Sequence, residues 1–309
     1  MAFREVYRKQ VELLIKVLPF IADEDCFALK GGTAINLFVR DMPRLSVDID
    51  LTYLPVLSRS ESLDAIDAAM KRIAERIHKI LHLAQVTPTV VQPRNAIIKL
   101  LIRMGGVQTK IEVTPVLRGC VYKPDSRTVT GSVEETFGFA EIRVVSFADL
   151  YAGKIVAALD RQHPRDLFDI RELLANEGID QTLRRAFLVY LLSHNRPMFE
   201  VLEPKRKSIQ TEFRRGFQGM TARPVSIRNL TSTRESLIDT VVRDMPEQHR
   251  RFLLSFEGGN PDWSLLELPG AERLPAVRWR QENLHKLTSA QRDTLVSKLG
   301  IVLKRSQNK

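Results

Sequence analysis

Residues 30–51 read KGGTAINLFVRDMPRLSVDIDL and join a Gly-Gly turn to two carboxylates that alternate with hydrophobic residues. Side chains on a strand point to opposite faces in turn, so Asp48 and Asp50 share one face while the apolar residues around them enter a core. Carboxylate pairs of this kind hold Mg²⁺, a hard cation that binds one or two protein carboxylates together with substrate phosphates. The segment therefore predicts a strand that carries a divalent-cation site.

The Gly-Gly turn supplies the second half of such a site. Gly31 and Gly32 let backbone N–H groups approach a triphosphate, and a helix that begins near Thr33 adds a positive dipole end. Arg44 either binds phosphate through its fork of donors or braces one of the acids. Ser46, two residues before the first acid, shares its strand face and is a candidate for contact with the γ-phosphate or for modification. A lone turn or a lone acid pair is common, whereas both in this order indicate nucleotidyl transfer.

Composition limits the class of protein. The chain has 309 residues, of which 44% are hydrophobic and 27% charged, as in ordinary globular proteins. The charged start is not a signal peptide and no apolar run spans a bilayer, so we expect a cytoplasmic protein without a membrane partner. Cys26 and Cys120 have no metal-like spacing, which predicts no disulfide partner. The net charge of +10 favours a polyanionic partner, although a solvated surface or an acidic protein would also account for it.

The chain changes character near residue 145. The first part predicts a helix that stops at Pro19, a helix over 33–39, a helix over 60–81, and a polar, turn-rich segment over 118–140. Its predicted strands are 27–29, 47–53, 85–91, 96–103, 107–113 and 141–145. After Ser146 the signals are helical, with predicted helices over 146–161, 165–175, 181–193, 203–217, 234–242, 247–256 and 290–303. The expected domains are residues 1–145, a mixed α/β core, and residues 146–309, a helical domain.

A third acid lies on the strand over 107–113. Glu112 projects on the face opposite to its apolar neighbours. If this strand lies beside the one with the two aspartates, Glu112 becomes a third metal ligand or a general base. Alternatively, it is an edge-strand acid in water or one that pairs with Lys99 or Arg103. The spacing alone does not separate these alternatives.

The helical part carries a lysine and two acids that are candidates for a chemical role. Lys154 lies among apolar residues, where an ammonium group needs a partner, and it is a candidate to hold a triphosphate oxygen. Asp166 and Asp169 lie at i and i+3 near a helix start, where acids are favoured by the helix dipole. Asp166 either serves as such a capping acid, orients Lys154 or contacts the nucleotide.

A basic cluster follows further along the chain. It is predicted on one helix face, as an RNA phosphate site, a protein contact or a solvated surface. Its members are Lys205, Arg206, Lys207, Arg214 and Arg215.

The motifs ALKGGTAINLF, RLSVDIDL, KIEV, AGKIVAALDR and RDLFDI together resemble the AbiEii family of nucleotidyltransferase toxins, within the polymerase-β-like superfamily. The motif match covers about residues 25–175, and residues 275–287, PAVRWRQENLHKL, resemble the family's C-terminal helical region. The resemblance implies an α+β fold: a polymerase-β-like core with a mixed sheet, followed by a mostly helical lobe that contributes to the active-site cleft. It also implies Asp48 and Asp50 as metal acids, Lys154 as a nucleotide-contacting lysine and Asp166 as an active-site acid.

The resemblance further implies a toxin of a toxin–antitoxin or abortive-infection system. Its expected activity is transfer of a nucleotide from an NTP to the tRNA 3′ end with magnesium or manganese, which would block aminoacylation. Its expected partners are tRNA and a cognate antitoxin, AbiEi-type or other. Two alternatives stay open: modification of a small molecule such as an antibiotic, or of a protein, on the same core; and a non-catalytic RNA- or protein-binding module.

Overall fold

The computed structural model describes residues 4–92 and 94–305. The chain divides into two compact units. The first unit is Met1–Ser146 with Phe217–Pro224, and the second is Phe147–Gly216 with Val225–Lys309. The single boundary predicted at residues 145/146 therefore does not describe the whole division, because a short segment from the helical part returns to the first unit.

The first unit is built on a seven-stranded mixed sheet. Its strand order is β3-β4-β5-β2-β1-β7-β6, with β2 parallel to β5 and β1 parallel to β7. The elements of this unit are α1 (Glu5–Ala22), β1 (Phe27–Lys30), α2 (Gly31–Ala34), β2 (Asp48–Tyr53), α3 (Arg59–Ile80), β3 (Gln85–Val91), β4 (Ala96–Met104), β5 (Val107–Val113), β6 (Asp125–Thr128), α4 (Gly131–Phe137) and β7 (Glu141–Val144). The α+β prediction with a mixed sheet is confirmed.

Helices α1 and α3 contact the sheet and each other, and apolar strand residues fill the space between them. Ile49 and Leu51 of β2 and Ile111 of β5 are fully buried. The residues between them on these strands are the acidic ones, so the alternation that closes the core on one face leaves the carboxylates on the other. Gly105 and Gly106 join β4 to β5 with positive φ angles of 59° and 78°, as a two-residue hairpin turn requires.

Three local predictions for the first unit were wrong. Helix α1 continues past Pro19, because Phe20 and Ile21 of its last turn are buried. The helix after the Gly-Gly turn begins at Gly31, not Thr33, and its α-helical turn passes into a π-helical turn, Ile35–Val39. The polar segment over 118–140 contains β6 and α4, which are short and largely exposed, so neither has the apolar periodicity that marks an element in sequence.

The segment Phe217–Pro224 extends the first unit beside the loop that precedes β2. The Leu45 N–H donates to the Met220 carbonyl at 2.7 Å, and the Ala222 N–H donates to the Pro43 carbonyl at 3.0 Å. Met220 is itself buried. This segment therefore completes the packing around the approach to the acidic strand.

The second unit is helical among its described residues. Helix α5 contacts α6, α7, α8 and α10, so it is the central helix of the unit. The elements are α5 (Phe147–Arg161), α6 (Pro164–Asn176), α7 (Gln181–Leu192), α8 (Met198–Leu202), α9 (Gln210–Gly216), α10 (Ile227–Val242), α11 (Glu247–Glu257), α12 (Pro275–His285) and α13 (Ser289–Arg305). The predicted helix over 203–217 was wrong: residues 203–209 are not helical, and only α9 lies in that range. Across the described part of the chain, none of the helices has the length and apolarity that crossing a membrane requires.

Candidate active site

Strand β2 places its two aspartates on the same face of the sheet. Asp48 and Asp50 are partly exposed, while Ile49 and Leu51 are buried. This pattern is the period-two alternation predicted from the sequence. The carboxylates are therefore on a solvent-accessible face with a rigid backbone beneath them.

Charged residues of four strands form a row across this face. In the sheet register, Asp50 lies opposite Lys30 of β1 and opposite Glu112 of β5, and Glu112 lies opposite Lys99 of β4. Directly opposed residues on neighbouring strands are close enough for their side chains to interact. We call Lys30, Asp50, Glu112 and Lys99 the charged row. Its two acids are central and its two lysines are at the ends.

Lys110 links the charged row to the remaining aspartate. It lies opposite Asp48 in the register, and its Nζ is 2.7 Å from Glu112 Oε2. Burial lowers the pKa of Lys110, but Glu112, Asp48 and Asp50 outweigh this effect and raise it. All three acids therefore act on one ammonium group.

The carboxylate of Glu112 is held by two lysines. Besides Lys110, Lys99 Nζ lies 3.7 Å from the same Oε2 atom. Burial raises the pKa of Glu112, but the two lysines have the larger effect and lower it, so the group is ionised. In residues 4–92 and 94–305, no three His, Cys, Asp or Glu side chains form a ready metal cluster. The role of Glu112 as a third metal ligand stays a prediction.

The Gly-Gly turn touches both the acid and the residues before it. Gly31 has a φ of +73°, and a Cβ at this position would be 2.7 Å from Asp50 Oδ2. A Cβ on Gly32 would be 2.7 Å from Arg44 Nη2 and 2.9 Å from Ser46 Oγ. Only glycine fits these approaches, because any side chain would displace the acid or the guanidinium. The turn and the acidic strand thus form one structural unit.

Thr33, Ser46 and Arg44 are buried behind this turn. The Thr33 hydroxyl donates to the Asp48 carbonyl and lies 3.1 Å from Ser46 Oγ. Arg44 is 1% exposed and donates through Nη1 to the Leu45 carbonyl at 2.9 Å. These predicted nucleotide-binding residues therefore have partners within the protein, and they hold the backbone of Gly31 and Asp48 in place.

Lys30 was not among the predicted site residues. It precedes Gly31 directly, lies opposite Asp50 in the register, and donates from Nζ to Thr114 Oγ1 at 3.0 Å. Burial lowers its pKa, and Asp50 and Glu112 act against that shift. Its position next to the Gly-Gly turn was visible in the sequence, but its pairing with Asp50 depends on the β1–β2 register.

A separate cluster lies inside the second unit, where α5 and α6 meet. Lys154 Nζ is 2.8 Å from Asp166 Oδ1 and 3.0 Å from Asp169 Oδ2. Arg161 Nε is 2.7 Å from Asp166 Oδ2. The side chains of Lys154, Asp166 and Asp169 are at most 6% exposed, whereas Arg161 is 61% exposed. We call these four residues the Lys154 cluster.

The charges of the Lys154 cluster compensate one another. Burial would raise the pKa of Asp166, but Lys154 and Arg161 outweigh it and hold that pKa well below its usual range. The structure thus brings together the predicted pair Lys154 and Asp166. Asp169 is a second partner, and its only signal in the sequence, the i, i+3 spacing from Asp166, is equally typical of helix-start acids.

The predicted basic cluster is not a single helix face. Lys205, Arg206 and Lys207 lie in the non-helical stretch before α9, while Arg214 and Arg215 are on α9. Arg206 Nε donates to Glu235 Oε2 at 2.9 Å, and Lys207 Nζ donates to the Asp160 carbonyl at 2.7 Å. Part of this positive charge is therefore already engaged within the second unit.

With the fold and both clusters described, the chain can be compared with known proteins. The model of the nucleotidyl transferase AbiEii toxin family, of type IV toxin–antitoxin systems, matches residues 12–283. The chain belongs to this family. It is therefore a nucleotidyltransferase of the toxin class, as the acidic strand and the Gly-Gly turn indicate, and the predicted resemblance is confirmed.

One solved structure extends the comparison to the fold. MenT4, a nucleotidyltransferase toxin from Mycobacterium tuberculosis H37Rv, superposes with a TM-score of 0.58 and covers 90% of this AbiEii chain and 93% of its own. The two sequences are 14% identical, so the similarity shows the shared fold. No curated protein matches the sequence.

Proposed function

We propose that this AbiEii-family chain transfers a nucleoside monophosphate from an NTP to the 3′ end of tRNA, with Asp48 and Asp50 as ligands of a divalent cation. The 3′ hydroxyl oxygen forms a bond to the α-phosphorus, and the bond from that phosphorus to the bridging oxygen of the leaving group breaks. Pyrophosphate leaves, and the hydroxyl proton passes to solvent or to a base. The observation that carries the proposal is the pair of aspartates on one sheet face against the Gly-Gly turn.

The donor set fits magnesium or manganese. Asp48 and Asp50 offer hard oxygen ligands from one rigid strand and remain partly exposed. Two carboxylates suffice where substrate phosphates complete the coordination. When bound, the cation lowers the pKa of the attacking hydroxyl and neutralises charge on the phosphates. Glu112 is the third candidate ligand, and it would have to exchange a lysine contact to serve.

The other residues of the turn position the triphosphate. Gly31 and Gly32 keep the backbone free of side chains beside Asp50, so N–H groups can approach phosphate oxygens. Thr33, Ser46 and Arg44 hold that backbone from behind. These contacts favour a role in which the three residues support the turn. Direct contact with a phosphate is the alternative, and substitution would distinguish the two roles.

Lys154 is the proposed nucleotide-contacting group of the second unit, with Asp166 as its orienting acid. An ammonium group has three N–H donors, and two of them are directed at Asp166 and Asp169. The third can donate to a phosphate oxygen. The two aspartates fix the position of the Lys154 ammonium group for this contact.

The choice of tRNA as acceptor rests on the family and on charge. The net charge of +10 favours a polyanionic acceptor over a small neutral molecule. Lys205, Arg214 and Arg215 are the candidate phosphate contacts, because their side chains are exposed. The cognate antitoxin is the other expected partner, as for toxins of this family.

The decisive experiment incubates the purified chain with each α-labelled NTP, magnesium and total tRNA. We expect label in tRNA for at least one NTP, and loss of that label when the 3′ hydroxyl is removed by periodate oxidation. Label in protein or in an added aminoglycoside, with none in tRNA, would contradict the acceptor but not the chemistry.

Two variants test whether growth inhibition depends on the acidic strand. Asp48→Ala should abolish both transfer and growth inhibition, because the cation site loses half of its protein ligands. Asp64→Ala, which removes a surface acid paired with Arg94, is the matched control and should retain both. An Asp48→Ala protein that remains fully toxic would refute the enzymatic account.

A further inference from the structure

Arg118 is a buried cation that has no acidic partner within the part of the chain that the structure describes. It lies in the loop between β5 and β6, and the residue is 8% exposed. Toward the described residues its guanidinium makes one hydrogen bond, from Nη1 to the Pro115 carbonyl at 2.6 Å, and its buried Nε has no acceptor there. Among residues 4–92 and 94–305, no carboxylate forms an ion pair with it. A guanidinium taken out of water normally requires a paired anion, so this arrangement is costly as it stands.

The surroundings of Arg118 add positive charge. The Gly119 N–H donates to the Tyr53 carbonyl at 2.8 Å, so the loop lies against the end of β2. Burial lowers the pKa of Arg118, and nearby Arg59, the first residue of α3, lowers it further. The acid of that helix turn, Glu61, is bonded to the Ser58 N–H at 3.1 Å in a capping box. The corner therefore has two cations, and its local acid is already engaged.

Apolar side chains are exposed in the same two loops. Val56 and Leu57, between β2 and α3, are 50% and 44% exposed, and Val116, two residues before Arg118, is 44% exposed. Together with Arg59 and Arg118 they form what we call the Arg118 corner. Scattered apolar residues are normal on surfaces, but here they accompany an unpaired buried cation.

The Arg118 corner is separate from the carboxylate face. Tyr53 is three residues after Asp50 on β2, so the two side chains point to opposite faces of the sheet. Tyr53 is buried, and its carbonyl accepts from the N–H of Gly119, the residue after Arg118. The corner is thus associated with the helix-covered face, and it does not belong to the proposed nucleotide site.

We propose that the Arg118 corner binds an acidic peptide segment of a protein partner, in which a carboxylate alternates with apolar side chains. The carboxylate would accept hydrogen bonds from the fork of Arg118, and the apolar side chains would cover Val56, Leu57 and Val116. Apolar neighbours favour a peptide over the phosphate backbone of an RNA. The residues of the Arg118 corner are not among those of the proposed nucleotide site.

The test uses a set of fluorescein-labelled pentapeptides in which two glutamates alternate with leucine, valine or phenylalanine. A matched set carries glutamine in place of glutamate, and fluorescence anisotropy reports binding to the full chain. We expect at least one glutamate peptide to bind about tenfold more tightly than its glutamine counterpart. Arg118→Met should reduce its affinity to the glutamine level, and Arg94→Met, which removes an exposed arginine paired with Asp64, should not.

A second variant guards against misfolding of the first. Val56→Ser with Leu57→Ser changes exposed side chains only, and it should weaken the same peptide at least threefold while leaving nucleotide transfer unchanged. Equal binding of glutamate and glutamine peptides, or unchanged binding in both variants, would overturn the proposal. So would displacement of the peptide by an RNA hairpin combined with loss of RNA binding in Arg118→Met, because the corner would then be a phosphate site.

Discussion

The charged row of the first unit and the Lys154 cluster of the second contain the same kinds of side chain in opposite settings. On the sheet, Lys99, Lys110 and Glu112 each remain about a third exposed. Between α5 and α6, Lys154 and its two aspartates are buried. Sheet register distributes charges across an open surface, whereas packed helices enclose them. The first arrangement leaves carboxylates available to a ligand, and the second fixes one ammonium group in place.

The energetic consequence also differs. Exposed ion pairs are screened by water and contribute little to stability, so the charged row can change partners at low cost. Buried pairs stabilise little relative to apolar residues, but removal of one partner leaves an uncompensated charge. The two clusters should therefore respond to substitution differently: the row in activity with little change in folding, and the Lys154 cluster in folding as well as in activity.

The largest expected effect is on the Lys154 cluster. Lys154→Met leaves Asp166 and Asp169 without their shared cation and should lower the free energy of unfolding by about 3–5 kcal/mol. Urea denaturation followed by circular dichroism measures this loss. Lys205→Met, at an exposed position, should stay within about 0.5 kcal/mol of the parent. Equal stability of the two variants would show that the charges of Lys154, Asp166 and Asp169 are not buried together as described.

The second prediction concerns a buried histidine of the second unit that lies outside the Lys154 cluster. His249 is fully buried, and neither ring nitrogen has a hydrogen-bond partner among the described residues. Burial, with Arg184 and Arg185 nearby, lowers its pKa from 6.5 to about 4. The unfolded chain therefore binds a proton that the folded chain does not, and stability should fall as pH decreases from 6.5 to about 4.

The loss over that range should reach roughly 3 kcal/mol at most. Unfolding of the parent and of His249→Leu by urea between pH 7 and pH 4 measures it. The variant should lose less stability over this interval, because it has no group to protonate there. Parallel curves for the two proteins would assign the acid sensitivity to other residues.

The third prediction tests how tightly the Gly-Gly turn holds Asp50. Gly31→Ala and Gly105→Ala both force a side chain into positive φ, at about 1–2 kcal/mol each. A Cβ at Gly105 meets nothing within 4 Å, whereas one at Gly31 meets Asp50 Oδ2. Both variants should therefore lose similar stability, and only Gly31→Ala should lose nucleotide transfer. Full activity of Gly31→Ala would show that the position of Asp50 does not depend on the Gly-Gly turn.

The smallest expected effect on folding is at the charged row itself. Asp50→Asn removes one of two adjacent carboxylates, so the free energy of unfolding should change by less than about 1 kcal/mol. Nucleotide transfer should nevertheless fall at least about 100-fold. Thermal unfolding and the tRNA-labelling assay measure the two quantities on one preparation. A stability loss as large as that of Lys154→Met would erase the contrast between the clusters.

Local patterns in the sequence predict one part of this architecture well. The alternation of Asp48 and Asp50 with buried residues and the Gly105-Gly106 hairpin follow from period and turn chemistry alone. The lysine in an apolar stretch of α5 indicated a buried partner, and Asp166 is such a partner. Each of these signals lies within a few residues, where backbone geometry decides.

The rest depends on contacts between distant segments. Lys30 acquires its relation to Asp50 from the pairing of β1 with β2, and Glu112 acquires its contact with Lys99 from the pairing of β4 with β5. Arg118 is informative because no carboxylate of the described residues pairs with it, which a single sequence does not reveal. Short exposed elements such as β6 lack the periodicity that would have predicted them.

The return of Phe217–Pro224 to the first unit has a consequence for how this chain can be divided. The polypeptide passes between the units at residues 146/147, 216/217 and 224/225. A fragment that ends at Ser146 lacks the carbonyl that accepts from Leu45 and the buried side chain of Met220. A gene crossover at residues 146/147 of this chain would therefore separate the acidic-strand core from a piece that is encoded about 70 codons downstream.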